Sequence, residues 1–333
     1  MRKPDGQTVF LGLLGLGTVA TVVYLVFFSG NGHAGNQKTT KATLRSSPVE
    51  ARRSFEYLKS ICAIGPRISG TKGMAKQQEL LTDHFGKAGG RVSLQEWDVR
   101  HPQDGSKVRL ANMIVEFHPD RKERVVLCCH YDTRPYPDRD PRRPRGRFIG
   151  ANDGGSGVAV LMELANHVGK LDGRYGVDFV LFDAEEFIFD EQRDPFFLGS
   201  EHFAQQYVQQ PPAHKYRWGV LLDMVGDAQL QLFQEKNSVS WPDTRPLVDA
   251  IWGTARQMGV VEFVNRTKHE VRDDHLALRN IARIPTCDII DFDYPRSGGV
   301  SYWHTEQDTV DKCSADSLGK VGAVLLEWLR TAD

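Results

Sequence analysis

The apolar and polar positions divide the chain into two unlike parts. Val9 to Phe28 is a run without a charged residue. As a helix rising about 1.5 Å per residue, it would span about 30 Å, the depth of a bilayer core. From Pro48 onward, apolar runs of strand length alternate with stretches of helical period. Ala51, Phe55, Leu58 and Cys62 recur at a spacing near 3.6 and predict a helix that starts at Pro48, capped by Ser46 or Ser47. A second helix is expected over Lys72–Lys87, ending at Gly89-Gly90. Strands are expected at Arg91–Val99, Val108–Phe117 and Glu123–Cys129, the last apolar enough to be covered on both faces. The glycine-dense turn Gly150–Gly157 opens a helix carrying Val158, Leu161, Leu164 and Val168. Further strands are read at Val177–Phe182, Gly219–Asp223, Leu230–Phe233 and Thr286–Ile290. Helices are read at Ser200–Val208, Thr244–Met258, after His275 through Leu278, and Ser314–Arg330. This alternation argues for an α/β domain.

The chemistry-bearing residues sit where apolar runs end. His130 and Asp132 follow the third strand, Asp183, Glu185 and Glu186 the fourth, and Asp223 the fifth. In open α/β sheets, ligands bind at the carboxyl ends of strands, so these positions can converge on one pocket. Two adjacent glutamates in a strand-end turn can point different ways, one toward a metal and one free as a base. His130, Asp153, Glu186, Asp223 and His304 form a nitrogen-and-oxygen donor set with no thiolate, which suits a hydrolytic or acyl-transfer metal. Asp132 can stand behind the His130 imidazole and fix its tautomer. Taken singly, each signal has a plainer meaning: Glu-Glu is usually a solvated face, and Asn-Asp-Gly-Gly is usually a turn. Their order, each at a strand or loop boundary, is what carries information.

Composition narrows the picture. Lys+Arg 42 against Asp+Glu 43 gives no basic excess, so a nucleic-acid partner is not expected. Five cysteines without a Cys-x-x-Cys pair make neither a disulfide framework nor a thiolate zinc site. At the N-terminus the expectation is a tail over 1–8, a transmembrane signal anchor over 9–28 and a flexible linker over 29–47. A catalytic domain over 48–333 would follow, held outside the cytoplasm. Signal cleavage and secretion is the alternative.

The chain resembles the zinc-dependent aminopeptidase and glutaminyl cyclase superfamily. The resemblance runs from about Pro48 to the C-terminus. It rests on Gly-Pro-Arg at 65–67, His-Tyr-Asp at 130–132, Gly-Ala-Asn-Asp-Gly at 150–154 and Asp-Ala-Glu-Glu at 183–186. Leu-Gly-Ser at 198–200, Leu-Leu-Asp-Met-Val-Gly at 221–226, Asp-Asp-His at 273–275 and Trp-His-Thr at 303–305 extend it. It implies a zinc-aminopeptidase-like three-layer α/β/α sandwich around a mixed, mostly parallel sheet. It implies zinc held by Asp153, Glu186 and His304, with Glu185 as general base and acid. His130 and Asp223 would complete a second zinc site in the peptidases.

Two activities fit that implication. A glutaminyl-peptide cyclotransferase would convert N-terminal Gln to pyroglutamate with release of ammonia and needs one zinc. Asp274 and Asp223 would relay around Glu185, and Trp303 would wall the substrate side chain. A dizinc aminopeptidase would use the same ligands to hydrolyse N-terminal residues. The cyclase is favoured by the double Asp before His275 and by Trp303 before His304. The insertion Phe187–Leu198 departs from the animal cyclases, where a tryptophan follows Glu186. Cys129 resembles a cysteine that animal cyclases pair nearby, and no partner occurs in the glycine turn, so that bridge is expected to be absent. Either enzyme takes peptides or proteins with a free N-terminus. A binding module without catalysis fits poorly, because Glu185 and every metal ligand are present.

Overall fold

The computed structural model describes residues 47–296 and 301–332. In chain order the elements are α1 (Ala51–Ile64), α2 (Lys72–Lys87), β1 (Arg91–Arg100), β2 (Lys107–Phe117), β3 (Glu123–His130), α3 (Ser156–Val168), β4 (Gly176–Phe182) and α4 (Leu198–Gln209). They continue with β5 (Lys215–Asp223), β6 (Leu232–Glu235), α5 (Lys236–Ser240), α6 (Arg245–Met258), β7 (Phe263–Lys268), α7 (His275–Asn280), β8 (Thr286–Ile290) and α8 (Ala315–Thr331).

Six strands form the central sheet in the order β1-β2-β4-β3-β5-β8. β4, β3, β5 and β8 run parallel, and β1 and β2 extend the sheet antiparallel. The parallel strands are apolar on both sides because both faces are covered. Val125, Leu127 and Cys129 of β3 point into the larger core beneath α1, α2, α3, α6 and α8. Val126 and Cys128 point into a smaller core beneath α4 and α7. The result is the expected three-layer α/β/α sandwich with a mixed, mostly parallel sheet.

Several expectations shift. The first helix begins at Ala51 rather than Pro48, and Ser47 does not cap it; Glu50 holds the N-cap position without a side-chain bond, and Ser46 lies outside the described residues. The Glu50 N–H instead donates to Glu163 of α3 at 2.9 Å. That buried carboxylate also takes two 2.6 Å bonds from Arg53, tying α1 to α3. β5 starts four residues before Gly219, at Lys215. β6 covers Leu232–Glu235 rather than Leu230–Phe233, and it pairs in parallel with β7, which the apolar pattern does not reveal. The five cysteines are free, as expected for Cys129.

Parallel pairing brings the strand ends together. His130 lies opposite Phe182, and Asp223 opposite Ile290. Among the described residues, no helix is long and apolar enough to cross a membrane. The expected tail over 1–8, the anchor over 9–28 and all of the linker but Ser47 lie outside the described residues.

Candidate active site

The turn after β4 is held from two sides. Asp183 leaves the strand buried; its Oδ1 accepts the Ser69 hydroxyl at 2.6 Å, and its Oδ2 accepts the Ala111 N–H at 2.8 Å. Ala184 then adopts φ 58°, a left-handed conformation that costs a residue with a Cβ on the order of 1 kcal/mol or more. The next two N–H groups end on one carboxylate: Glu185 donates to Asp132 Oδ1 at 3.2 Å and Glu186 to Asp132 Oδ2 at 3.0 Å. Asp132 thus has a use beyond the expected one. Its carboxylate lies 3.6 Å from His130 Nδ1, on the side of the imidazole where it was expected, and its two oxygens also fix the glutamate turn.

The glycine turn is clamped likewise. Arg67, fully buried, donates to the carbonyls of Ile149 at 2.6 Å and Gly150 at 2.8 Å. Asp308 accepts the N–H groups of Asn152 at 2.8 Å and Asp153 at 3.1 Å. Gly154 has φ 76°, and a Cβ there would lie 2.4 Å from the Asp132 carbonyl, so only glycine fits between the two turns. His304 is also left-handed, at φ 56°.

These supports bring the expected ligands together. His304 Nε2 lies 2.7 Å from Glu186 Oε1 and 3.5 Å from Asp153 Oδ2. His130 Nε2 lies 3.1 Å from Asp153 Oδ1 and 3.3 Å from Asp223 Oδ1. Asp153, Glu186 and His304 form one group with ligand atoms within 4.8 Å of one another. His130, Asp153 and Asp223 form another, and Asp153 belongs to both. Asp153 Oδ2 and Asp223 Oδ1 are buried and accept no hydrogen bond. Buried carboxylate oxygens with no donor are costly unless a cation meets them, and oxygen-and-imidazole sets of this kind hold divalent metals. The residues therefore fit a metal.

The electrostatics agree. Burial pushes the Asp153 carboxyl well above its ordinary range, and neighbouring Glu186 pushes it further. Burial likewise raises Glu185, against the opposing pull of His130. For Glu186, burial is outweighed by His304 and Arg134, which bring it down to about 2. Burial lowers His304, against the opposing pull of Glu186.

Glu185 and Asp223 line a cleft of about 420 Å³ with Asp153, Glu186, Trp303 and His304. Asp274 does not line it. Its carboxylate is fully buried with neither oxygen hydrogen-bonded, and burial raises it to about 7. The neighbouring Asp273 faces the cleft in its place, and burial and then Asp223 raise its carboxyl well above the usual range. The Trp303 ring lies 5.3 Å from that of Phe292, and the Arg139 guanidinium stacks 4.2 Å from its centre. The loops without an expected element supply the rim: Arg134 and Arg139 from one, Glu191, Phe196 and Phe197 from the other. Asp273, Arg134 and Asp308 were not legible as site residues.

Groups that could hold a metal thus gather at the carboxyl ends of the strands of an α/β sandwich, as a metal-dependent enzyme of the α/β class requires. The model of peptidase family M28 matches residues 112–329, and the chain belongs to that family. Among solved structures it is similar to Fimbriiglobus ruber glutaminyl cyclase: 40% identity, TM-score 0.81, covering 87% of this chain and 98% of that one. It is also similar to a Zn-dependent exopeptidase from Parabacteroides distasonis, with 33% identity and TM-score 0.78 over 86% of this chain and all of the other. Among curated proteins it resembles the glutaminyl-peptide cyclotransferase of Bos taurus, 26% identical over 253 residues. That match spans 66% of each chain.

Asp183 offers a test away from the metal ligands. Burial, and then Asp132, raises its carboxyl to about 7. An unfolded aspartate titrates near about 3.9, so between these values the folded chain holds a proton that the unfolded chain has lost. This contribution is present below the unfolded value and is lost as pH rises through about 7. Asp183→Asn removes the titration. The melting temperature should fall less between pH 5 and pH 8 in the variant than in the wild type; parallel melting curves for the two would contradict it.

Proposed function

We propose that this protein is a zinc-dependent glutaminyl-peptide cyclotransferase, an acyltransferase that closes N-terminal glutamine to pyroglutamate and releases ammonia. The observation that carries this reading is the 40% identity to a glutaminyl cyclase structure over 87% of the chain, with the glutamate pair and its ligands in place. Asp153, Glu186 and His304 would hold the zinc, which when bound polarises the side-chain amide carbonyl of the glutamine.

The chain's own residues do the rest. Glu185 reaches the cleft while its backbone is pinned by Asp132, so its carboxylate is free to move a proton. Its raised affinity for protons suits a group that must both take and return one. Glu185 takes the proton from the α-amine as that nitrogen attacks the amide carbon, then delivers it to the departing nitrogen. Asp223 and Asp273 line the same wall and can accept hydrogen bonds from the amine. Asp274 would support them from behind. Trp303 and Phe292 provide an apolar side that orients the glutamine methylenes.

A second reading, a dizinc aminopeptidase, is favoured by the His130, Asp153 and Asp223 group and by the likeness to a Zn-dependent exopeptidase. The two separate on substrates. A Gln-initiated peptide should yield ammonia without shortening, and a Leu-initiated peptide should stay intact. Free leucine as the main product would sink the cyclase. Glu185→Gln should lose turnover while retaining zinc by metal analysis, and appreciable residual turnover would remove Glu185 from the role of base.

We further infer that Val9–Phe28 anchors the enzyme in a membrane with the catalytic domain outside the cytoplasm. The support is that run's length and lack of charge. The protein should stay with membranes after an alkaline wash. A mature chain that begins near Gly35 and washes off would instead mean secretion.

A further inference from the structure

Arg134 is buried, with 1% of its side chain exposed, yet it belongs to the cleft wall. One edge of its guanidinium is fully used. Nε donates to Asp138 Oδ1 at 2.9 Å, and Nη2 donates to Asp138 Oδ2 and Glu191 Oε1, each at 2.7 Å. Its backbone N–H donates to Glu186 Oε2 at 3.2 Å, which fixes the residue relative to that carboxylate. The other edge faces Glu186 as an ion pair: Nη1 lies 3.6 Å from Glu186 Oε1 and makes no hydrogen bond. Native structures hold few buried donors of this kind. A clamp between the two rim loops explains the Asp138 and Glu191 contacts, and the charge of Glu186 explains the approach of Nη1, but neither takes up the Nη1 hydrogen bonds. The guanidinium cannot lose its charge, so Nη1 is a permanent donor held next to the metal-ligand group.

We propose that Arg134 is a catalytic residue: its free Nη1–H donates to the side-chain amide oxygen of the substrate glutamine as that oxygen gains negative charge. This rests on the cyclase reading. The α-nitrogen bonds to the amide carbon and the C–O π pair moves onto oxygen, where Arg134 meets it. The pair then returns, the bond to the amide nitrogen breaks, and ammonia leaves with the proton Glu185 carried from the amine. Arg134 keeps all of its protons. A fixed donor placed to meet developing charge acts mainly on kcat, and removing one typically costs roughly 100- to 1000-fold.

The experiment compares the wild type, Arg134→Ala, Arg134→Lys and Glu191→Gln on a Gln-initiated peptide, with zinc content and peptide affinity measured alongside ammonia release. For Arg134→Ala, kcat should fall roughly 100- to 1000-fold. KM and peptide affinity should stay within about threefold and zinc content should be unchanged. Added methylguanidinium should restore part of kcat, which a lost clamp would not allow. Glu191→Gln, which removes a clamp contact and leaves Nη1, should lose far less. The proposal is overturned if Arg134→Ala keeps wild-type kcat, if its loss tracks lost zinc, or if Glu191→Gln matches it and methylguanidinium restores nothing. Should Arg134→Ala fail to fold, Arg134→Lys decides. A lowered kcat with zinc retained supports the proposal, and wild-type kcat overturns it. If the wild type shortens the peptide to free glutamine and releases no ammonia, the cyclase reading itself has failed, which is a separate outcome.

Discussion

Two backbone N–H groups, those of Glu185 and Glu186, end on the two oxygens of the Asp132 carboxylate. The site depends on this pairing. Ala184 carries a left-handed backbone that would relax if nothing held it, and the relaxed turn would swing both glutamates. With the turn pinned, consecutive side chains leave it in different directions. Glu186 meets His304 and the shared Asp153, and Glu185 lines the cleft with its Oε2 3.8 Å from His130 Nδ1. The division of labour between two identical side chains is thus set by a backbone conformation. Asp132 comes from the end of β3 and the glutamates from the end of β4, so parallel pairing of these strands is what makes the contact possible.

The same logic recurs around the site. Asp308 holds the N–H groups of the glycine turn while Arg67 holds its carbonyls, so Asp153 is presented from a backbone fixed at both polarities. The functional side chains are left with unmet oxygens, and the supporting side chains spend theirs on main chain. A cation completes the first set, because buried carboxylates cannot stay charged together without one. The rim follows suit. Arg134 joins Asp138 and Glu191 from two loops into one wall, next to the aromatic pair Phe292 and Trp303.

Local pattern revealed the elements that are apolar on their own account. Lys72–Lys87 and Thr286–Ile290 match their expected bounds because amphipathic period, or a short apolar run bounded by turns, defines each of them. β7 escaped notice because of its six residues only Phe263 is buried; its strand character comes from pairing with β6. At the site, the ligand candidates were legible from their place at strand ends. Their supports were not, since Arg67, Arg134 and Asp308 act on partners 52 to 156 residues away or within an irregular loop. The neighbours Asp273 and Asp274 are identical in sequence. Which one faces the cleft is decided by how the chain enters α7, where Asp274 takes the N-cap position and turns inward. Asp132 was read as the partner of an imidazole because a His-x-Asp spacing permits it, and its second use, on the turn N–H groups, needed the pairing of β3 with β4 to be seen.

The central claim is that Asp132 positions Glu186, the proposed zinc ligand, and Glu185, the proposed base, through two backbone hydrogen bonds. Asp132→Asn keeps the shape and turns one acceptor into a donor facing a turn N–H. Zinc affinity, measured by competition with a chelator, should fall roughly 10- to 100-fold, as for loss of a supporting partner, with turnover falling alongside it. Wild-type zinc affinity together with wild-type turnover in that variant would contradict the account.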